Sequence, residues 1–297
     1  MSQASVQTIG ITRWSYPGTT AGFISASSDL DTLRAALYAP ERLEHRLFLL
    51  ENLTLPCLRW QTDPDFLHLF VMGDELPEPW RGRLVALLDT VPQIVPVFAP
   101  EGQNLGQLCA EVIAAHQDGT SDVLAQYRLD DDDAISVDFV EKLRGAFPRL
   151  APFYEADQRI CLDFSRGFVM DARTADLDFI PISARQWAPG LVIYQKAETA
   201  ACVFEFPHMR VWHFMATVTM REDPMFIRGI HHTNDSDVAQ FGRRTRSFTF
   251  RPASKRRFFR RRFAIDILTL EALWRENYGR FGCLPPAAQT AQTRQAG

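Results

Sequence analysis

Apolar residues in the first half of the chain fall into short runs that alternate with stripes at helical spacing. Residues 6–12, Val-Gln-Thr-Ile-Gly-Ile-Thr, alternate at period two and predict a first strand that ends at Arg13-Trp14. Residues 29–38 and 40–52 read as helices, the second with Leu43, Leu47 and Leu50 on one stripe, and Leu55-Pro56-Cys57-Leu58 is expected to end it. Residues 66–72 form a continuous apolar run before Gly73-Asp74, which suits a parallel strand buried on both faces. Residues 79–91 predict a helix and 93–98 a strand. Leu105, Leu108, Cys109, Val112, Ile113 and His116 share one helical face, which closes at Asp118-Gly119. Residues 123–129 predict a strand that runs straight into four consecutive aspartates. This rhythm predicts an α/β fold with a mostly parallel sheet and helices on both faces.

The second half is less regular. Residues 159–170 read as a hairpin turning at Ser165-Arg166-Gly167, and 190–195 and 200–206 as strands. Residues 210–220 form another β-rich stretch, and 265–278 predict a last helix. Residues 285–297, rich in Ala, Gln and Thr, are expected to be a disordered tail.

Composition changes this picture little: 297 residues, 46% hydrophobic and 23% charged, suit a soluble chain with one large core. Cys57, Cys109, Cys161, Cys202 and Cys283 are scattered singly, an odd count without CxxC pairs, which argues against a disulfide framework and a zinc module. No signal-peptide pattern opens the chain, and no apolar stretch reaches the roughly 18 to 20 residues that cross a bilayer. A cytoplasmic protein is expected. Charge matters more. Net charge is −4, yet residues 243–262 hold ten Lys or Arg and no acid, leaving a balance of −14 elsewhere. A block so segregated faces an anion: phosphate, anionic polymer or membrane headgroup.

The chemistry concentrates in Arg128-Leu129-Asp130-Asp131-Asp132-Asp133, at the carboxyl end of a predicted strand, where open α/β sheets bind ligands. On an extended backbone Asp130 and Asp132 point the same way. Two such carboxylates suit a hard divalent cation, Mn²⁺ or Mg²⁺, which bridges phosphates and offsets charge on a leaving diphosphate. A solvated acidic loop is the bland alternative. An EF-hand is a poor one: Asp130, Asp132 and Glu141 take its first, third and twelfth positions, but Ile135 stands where that loop needs Gly and Ala134 supplies no ligand. Ser136 is placed to cap the next helix, with Asp138 in its first turn. Downstream, His231-His232-Thr233-Asn234-Asp235-Ser236 offers imidazole as a third ligand.

Thr12-Arg13-Trp14, Pro40-Glu41-Arg42-Leu43-Glu44, Leu55-Pro56-Cys57-Leu58, Gln61-Thr62-Asp63, the Arg-Leu-Asp block and the His-Thr-Asn-Asp-Ser run occur in this order over residues 8 to 240. Together they resemble a family of bacterial rhamnosyltransferases, similar to A-type (GT-A) glycosyltransferases. The resemblance implies a GT-A-like catalytic domain over residues 1–240, with a smaller mixed acceptor region in its C-terminal part. A basic extension with the last helix would then span 241–284, before the tail at 285–297. It implies a nucleoside-diphosphate sugar as donor, rhamnose being the family's label, and a glycan or lipid-linked acceptor. Asp130-Asp131-Asp132 would serve as the DxD element, Asp132 binding the metal, Asp130 assisting it or the ribose, and His231 completing coordination. Arg13, Gln61, Thr62, Asp74 and Arg128, with Asp130 and Asp131, would line the nucleotide-sugar site at strand ends. For the catalytic base Asp171 and Glu205 are the candidates, and Pro207-His208 is placed to face the acceptor.

Lys255-Arg256-Arg257-Phe258-Phe259-Arg260-Arg261-Arg262-Phe263 interleaves cations with aromatics. One reading is peripheral contact with the anionic inner leaflet, the three phenylalanines dipping into the interface. Others place arginines over the donor diphosphate or make the block a solvated helix face. The acidic remainder speaks against nucleic acid. The competing functions are a metal-dependent phosphotransferase or phosphoesterase, which usually needs a second acidic cluster, and a non-catalytic glycan- or membrane-binding module.

Overall fold

The computed structural model describes residues 4–19, 29–198, 201–221, 223–232, 243–244 and 252–281, and the statements below concern these. Residues 233–236, Cys283 and the predicted tail lie outside them.

Strands β1 (Val6–Arg13), β2 (Leu67–Gly73), β3 (Ile94–Ala99), β4 (Val123–Arg128), β6 (Arg159–Phe164), β9 (Leu191–Lys196) and β10 (Ala216–Met220) form one sheet, in the order β3-β2-β1-β4-β9-β6-β10. Strands β3, β2, β1 and β4 are mutually parallel, as are β6 and β10; β9 runs antiparallel between β4 and β6. A smaller mixed sheet holds β5 (Ala134–Ile135), β7 (Arg166–Asp171), β8 (Asp178–Ser183), β11 (Phe226–Ile230) and β12 (Arg243–Arg244), in the order β12-β8-β7-β11-β5. The expectation of a mostly parallel sheet in an α/β chain is met.

Helices cover both faces of the large sheet. Strand alternation sends Ile9, Ile11, Leu69 and Val71 to one face, where they meet α5 (Leu105–Ala115) and two 3-10 segments, Val203–Glu205 and His208–His213. The opposite face, through Phe70, Met72 and Tyr127, packs on α2 (Pro40–Leu49), α3 (Leu55–Arg59), α4 (Trp80–Leu88) and α6 (Phe139–Asp157). The short α1 (Leu30–Leu37) precedes α2, capped by the Asp29 carboxylate on the Thr32 N–H. Helices α7 (Pro252–Phe263) and α8 (Ile267–Phe281) share the second core through Phe259, Phe263, Leu270 and Trp274.

Several local expectations are corrected. Residues 159–170 are not a hairpin. The chain leaves the large sheet after β6, Ser165 donates its N–H to Met220, and β7 enters the small sheet. Residues 200–206 carry a 3-10 turn, because the Glu205 carboxylate folds back onto the Cys202 N–H at 2.7 Å. Leu55-Pro56 does not end the helix begun at Pro40. A π-turn over Leu50–Thr54 leads directly into α3, and Pro56 follows this widened turn within a helical backbone that does not break. The acid run leads first into β5, and the Ser136 hydroxyl donates to Asp138 at 2.7 Å instead of capping α6. Phe259 and Phe263 are fully buried and Phe258 lies against Phe168, so these rings do not dip into a membrane. Cys57, Cys109, Cys161 and Cys202 are free and buried.

Beneath the carboxyl ends of the strands, Gly10 leaves room for His68 of β2 and Tyr127 of β4 to meet across β1, where a Cβ would strike both rings. The Thr12 hydroxyl donates its one proton to the Leu129 carbonyl at 2.6 Å. Imidazole Nε2 of His68 therefore donates to Thr12 at 2.8 Å, and Nδ1 accepts from the Tyr127 hydroxyl at 3.1 Å. Every polar atom of a neutral His68 is satisfied, and burial holds its pKa down to about 3. The unfolded imidazole titrates near 6.5, so the unfolded chain binds the proton first. Stability is then full above pH 6.5 and declines as pH falls toward 3. At pH 5 the loss from this group is about 2 kcal/mol. Urea midpoints measured from pH 7 to 5 should fall accordingly in the native chain, and the slope should flatten in His68→Gln.

Candidate functional site

The acid run begins where the buried network ends. Leu129, tied to β1 through its N–H on Ile11 and its carbonyl on Thr12, delivers the chain to Asp130. The run then turns on itself, the Asp133 N–H donating to the Asp130 carbonyl at 3.1 Å and Thr54 holding the Asp133 carbonyl at 2.8 Å. Asp130 stays partly open, its side chain 34% exposed, whereas Asp131, Asp132 and Asp133 are buried.

Three neighbouring carboxyl groups out of water need compensation or must stay neutral. Arg46, on the inward face of α2, puts Nη1 3.0 Å from both Asp131 Oδ1 and Asp132 Oδ2. His231, just past β11, donates from Nε2 to the same Asp132 oxygen at 2.7 Å. The N–H of Gly229 donates to Asp133 Oδ1 at 2.9 Å, and only glycine fits there, since a Cβ would collide with the Asp132 carbonyl. Burial works to raise all three carboxyls, and the outcomes diverge with the company each keeps. Arg46 and His231 outweigh burial at Asp132 and hold it well below the usual range. Asp131 shares only Arg46 and is pushed up to about 6. Asp133, with Asp132 and Asp130 as neighbours, is driven well above its ordinary value. Behind them His45 meets His231 edge-on at 4.7 Å and stacks on Phe281 at 5.1 Å. Neither ring nitrogen of His45 has a hydrogen-bond partner among the described residues, and burial, reinforced by His231, keeps it neutral.

Oxygens of Asp130, Asp132 and Asp133 lie within 4.8 Å of one another, which is a hard-oxygen donor set of the kind Mn²⁺ or Mg²⁺ takes. The orphaned, buried Asp131 Oδ2 adds to the unspent negative charge. His231 is bonded to one member of this grouping, Asp132, and Asp133 joins the grouping although the sequence had not singled it out.

The other predicted residues divide. Arg13 and Asp74 sit at the carboxyl ends of β1 and β2, as expected, and Arg128 ends β4 with Nη2 3.4 Å from Asp130. Arg128 also lies over the Phe204 ring at 5.2 Å. Gln61 and Thr62 are elsewhere, because they precede β2 instead of following it. The Gln61 amide is spent on Cys57, Ser136 and Val140, and the Thr62 hydroxyl on Glu141. Asp171 is gripped by Arg173, at 2.8 Å from Nε and 2.5 Å from Nη2, and this hydrogen bonding lowers its pKa. Glu205 caps its 3-10 turn. Both carboxylates are thus hydrogen-bonded within their own turns in this geometry. His208 donates from Nδ1 to the Gln186 carbonyl at 2.7 Å, and the Gln186 N–H donates to Asp163 at 2.9 Å.

Sequence reasoning missed Arg46 and His45. Arg46 had one signal: it lies within a stripe of leucines, on the buried side of an otherwise amphipathic helix. Removing it should be costly. Arg46→Ala leaves Asp131 and Asp132 buried without their cation, and denaturant unfolding at pH 7.5 should show a loss of about 3–5 kcal/mol. Asp131→Asn in that background should recover part of it.

Residues 7–243 match the family model described as "Putative rhamnosyl transferase". Among solved structures, the chain is similar to TarS 1-349 of S. aureus, with TM-score 0.40, 10% identity, and 75% of this chain and 60% of that one covered. The same fragment in complex with UDP-GlcNAc gives TM-score 0.41 and 8% identity, covering 77% and 60%. A putative nucleotide-diphospho-sugar transferase from Desulfovibrio desulfuricans G20 gives 0.38 and 14%, covering 94% and 97%. The chain thus spans about 60% of the TarS fragment, and likenesses of this size say nothing of the site. No curated protein matches. With its family model running from the first strand through the acid run to β12, the chain belongs to the rhamnosyl transferase family of that description, a family of glycosyltransferases.

Proposed function

We propose that the protein transfers a sugar, rhamnose by its family's label, from a nucleoside-diphosphate donor to a glycan or lipid-linked acceptor in the cytoplasm. The observation that carries this reading is the knot of Asp130, Asp132 and Asp133 oxygens at the carboxyl end of β4. That is where parallel strands present ligands. These three residues would hold Mn²⁺ or Mg²⁺, which supplies positive charge to the departing diphosphate. His231 and Arg46 orient Asp132 and keep it ionised, so the chain presents a ready acceptor of cations at neutral pH. Arg128 and Arg13, at neighbouring strand ends, are placed to bind phosphate oxygens by charge-assisted hydrogen bonds. Asp74, beyond β2, lies on the side where a ribose or base would extend.

The test is calorimetric titration of UDP, dTDP and GDP, with and without Mn²⁺. At least one nucleotide should bind more tightly with the metal, by about tenfold or more, and Asp130→Asn should remove that gain. Because Asp130 is the most open member, this variant should keep its fold, which circular dichroism checks. Metal-dependent binding unchanged in both Asp130→Asn and Asp132→Asn would sink the assignment.

With its phenylalanines in the core, helix α7 leaves Arg256, Arg257, Arg260 and Arg261 exposed. Any membrane contact then rests on charge alone. Flotation with phosphatidylglycerol vesicles should be lost at high salt and in Arg257→Glu/Arg260→Glu/Arg261→Glu. Flotation that resists salt would contradict an electrostatic contact.

A further inference from the structure

Large apolar side chains exposed among the described residues are Trp60, Phe153, Met209, Trp212, Phe214 and Leu268. Half of them fall within residues 209–214, the stretch that carries the second 3-10 segment. A cluster of this kind is the informative departure from an ordinary surface, on which single exposed apolar residues need no explanation.

The segment is seated at one end and supported beneath. Val211 is buried in the core under the large sheet, and Phe214 meets Phe206 edge-on at 5.8 Å. At the other end His208 is fixed to the Gln186 carbonyl at 2.7 Å. Phe204, just before the segment, lies under the Arg128 guanidinium, which reaches Asp130. The exposed strip therefore starts at the flank of the acid run and leads away from it. Trp212 is 58% exposed, yet His213 stacks against it, with centroids 3.8 Å apart and planes 28° from parallel. One face of the indole is covered by that ring, and no described ring or cation is stacked on the other; a kink at Arg210 separates Trp212 from exposed Met209.

Resting on the donor reading above, we infer that this strip is the acceptor platform, on which a pyranose unit of a glycan lies against the open face of Trp212. A pyranose presents an apolar C–H face to the ring and hydroxyl groups at its edge. Exposed Arg210 and His213 border the indole and can donate to those hydroxyls. Hydrocarbon would cover the same polar groups without satisfying them, which costs free energy. The strip also begins beside the donor site, so a glycan lying along it has an end at the place of transfer.

Saturation-transfer NMR tests this with methyl α-L-rhamnopyranoside, chitotetraose and maltohexaose as probes, alongside phosphatidylglycerol vesicles. At least one saccharide should receive saturation from the native chain. The signal should fall at least fivefold in Trp212→Ala and largely survive in Trp212→Phe, while vesicle binding is the same in all three. Trp212 is exposed, so neither variant should unfold. No transfer to any saccharide, transfer that ignores Trp212→Ala, or a loss confined to vesicles overturns the platform. Nucleotide titration with Mn²⁺ on the same samples separates the two readings. If it succeeds while the saccharides fail, only the platform falls; if the native chain binds no nucleotide, the donor reading has failed.

Discussion

Three carboxylates out of water, compensated by one guanidinium, one imidazole and one backbone N–H, set the terms for the rest of this structure. Asp131, Asp132 and Asp133 would each be neutralised if buried alone. Arg46 and His231 keep Asp132 charged, and each arrives from a different part of the chain. The site consequently exists only when α2, the end of β4 and the end of β11 are all in place. The same pairing that keeps Asp132 charged makes it the neighbour that, with burial, drives the Asp133 carboxyl up.

The sheet supplies the precision this arrangement needs. Neutral His68, seated over Gly10 and joined to Thr12 and Tyr127, binds β1, β2 and β4 together just below the acid run. A second constraint comes from Gly229, whose N–H approaches Asp133 because it has no side chain to hold the strands apart. The small sheet is thus more than an appendage, since β11 and β5 fold the acid run back toward the large sheet. Aromatic rings of α8 close the rear of the cluster, with Trp274 and Phe281 around His45.

Regular segments were legible because their apolar spacing is a local property. The alternation in β1, the apolar run of β2 and the stripe of α5 each report burial within a few residues. The hairpin reading of residues 159–170 failed for a reason spacing cannot express: two short strands joined at Ser165 look alike whether they pair with each other or enter separate sheets. The phenylalanines of α7 misled similarly, because basic and aromatic residues in alternation also describe a helix with one face in the core. Gln61 and Thr62 stand out as a motif, but they precede β2, and their side chains bond Cys57, Ser136, Val140 and Glu141.

By itself the sequence determined the α/β class, the place of the acid run at a strand end and the family to which the chain belongs. These follow from periodicity and from motifs contained in single segments. Only the tertiary structure decided which aspartates lie together, that Arg46 is the counter-charge of Asp131 and Asp132, that His231 donates to Asp132 and that Asp171 pairs with Arg173. Each of those facts is a distance between groups remote in sequence, and charge compensation in a buried site is set by such distances.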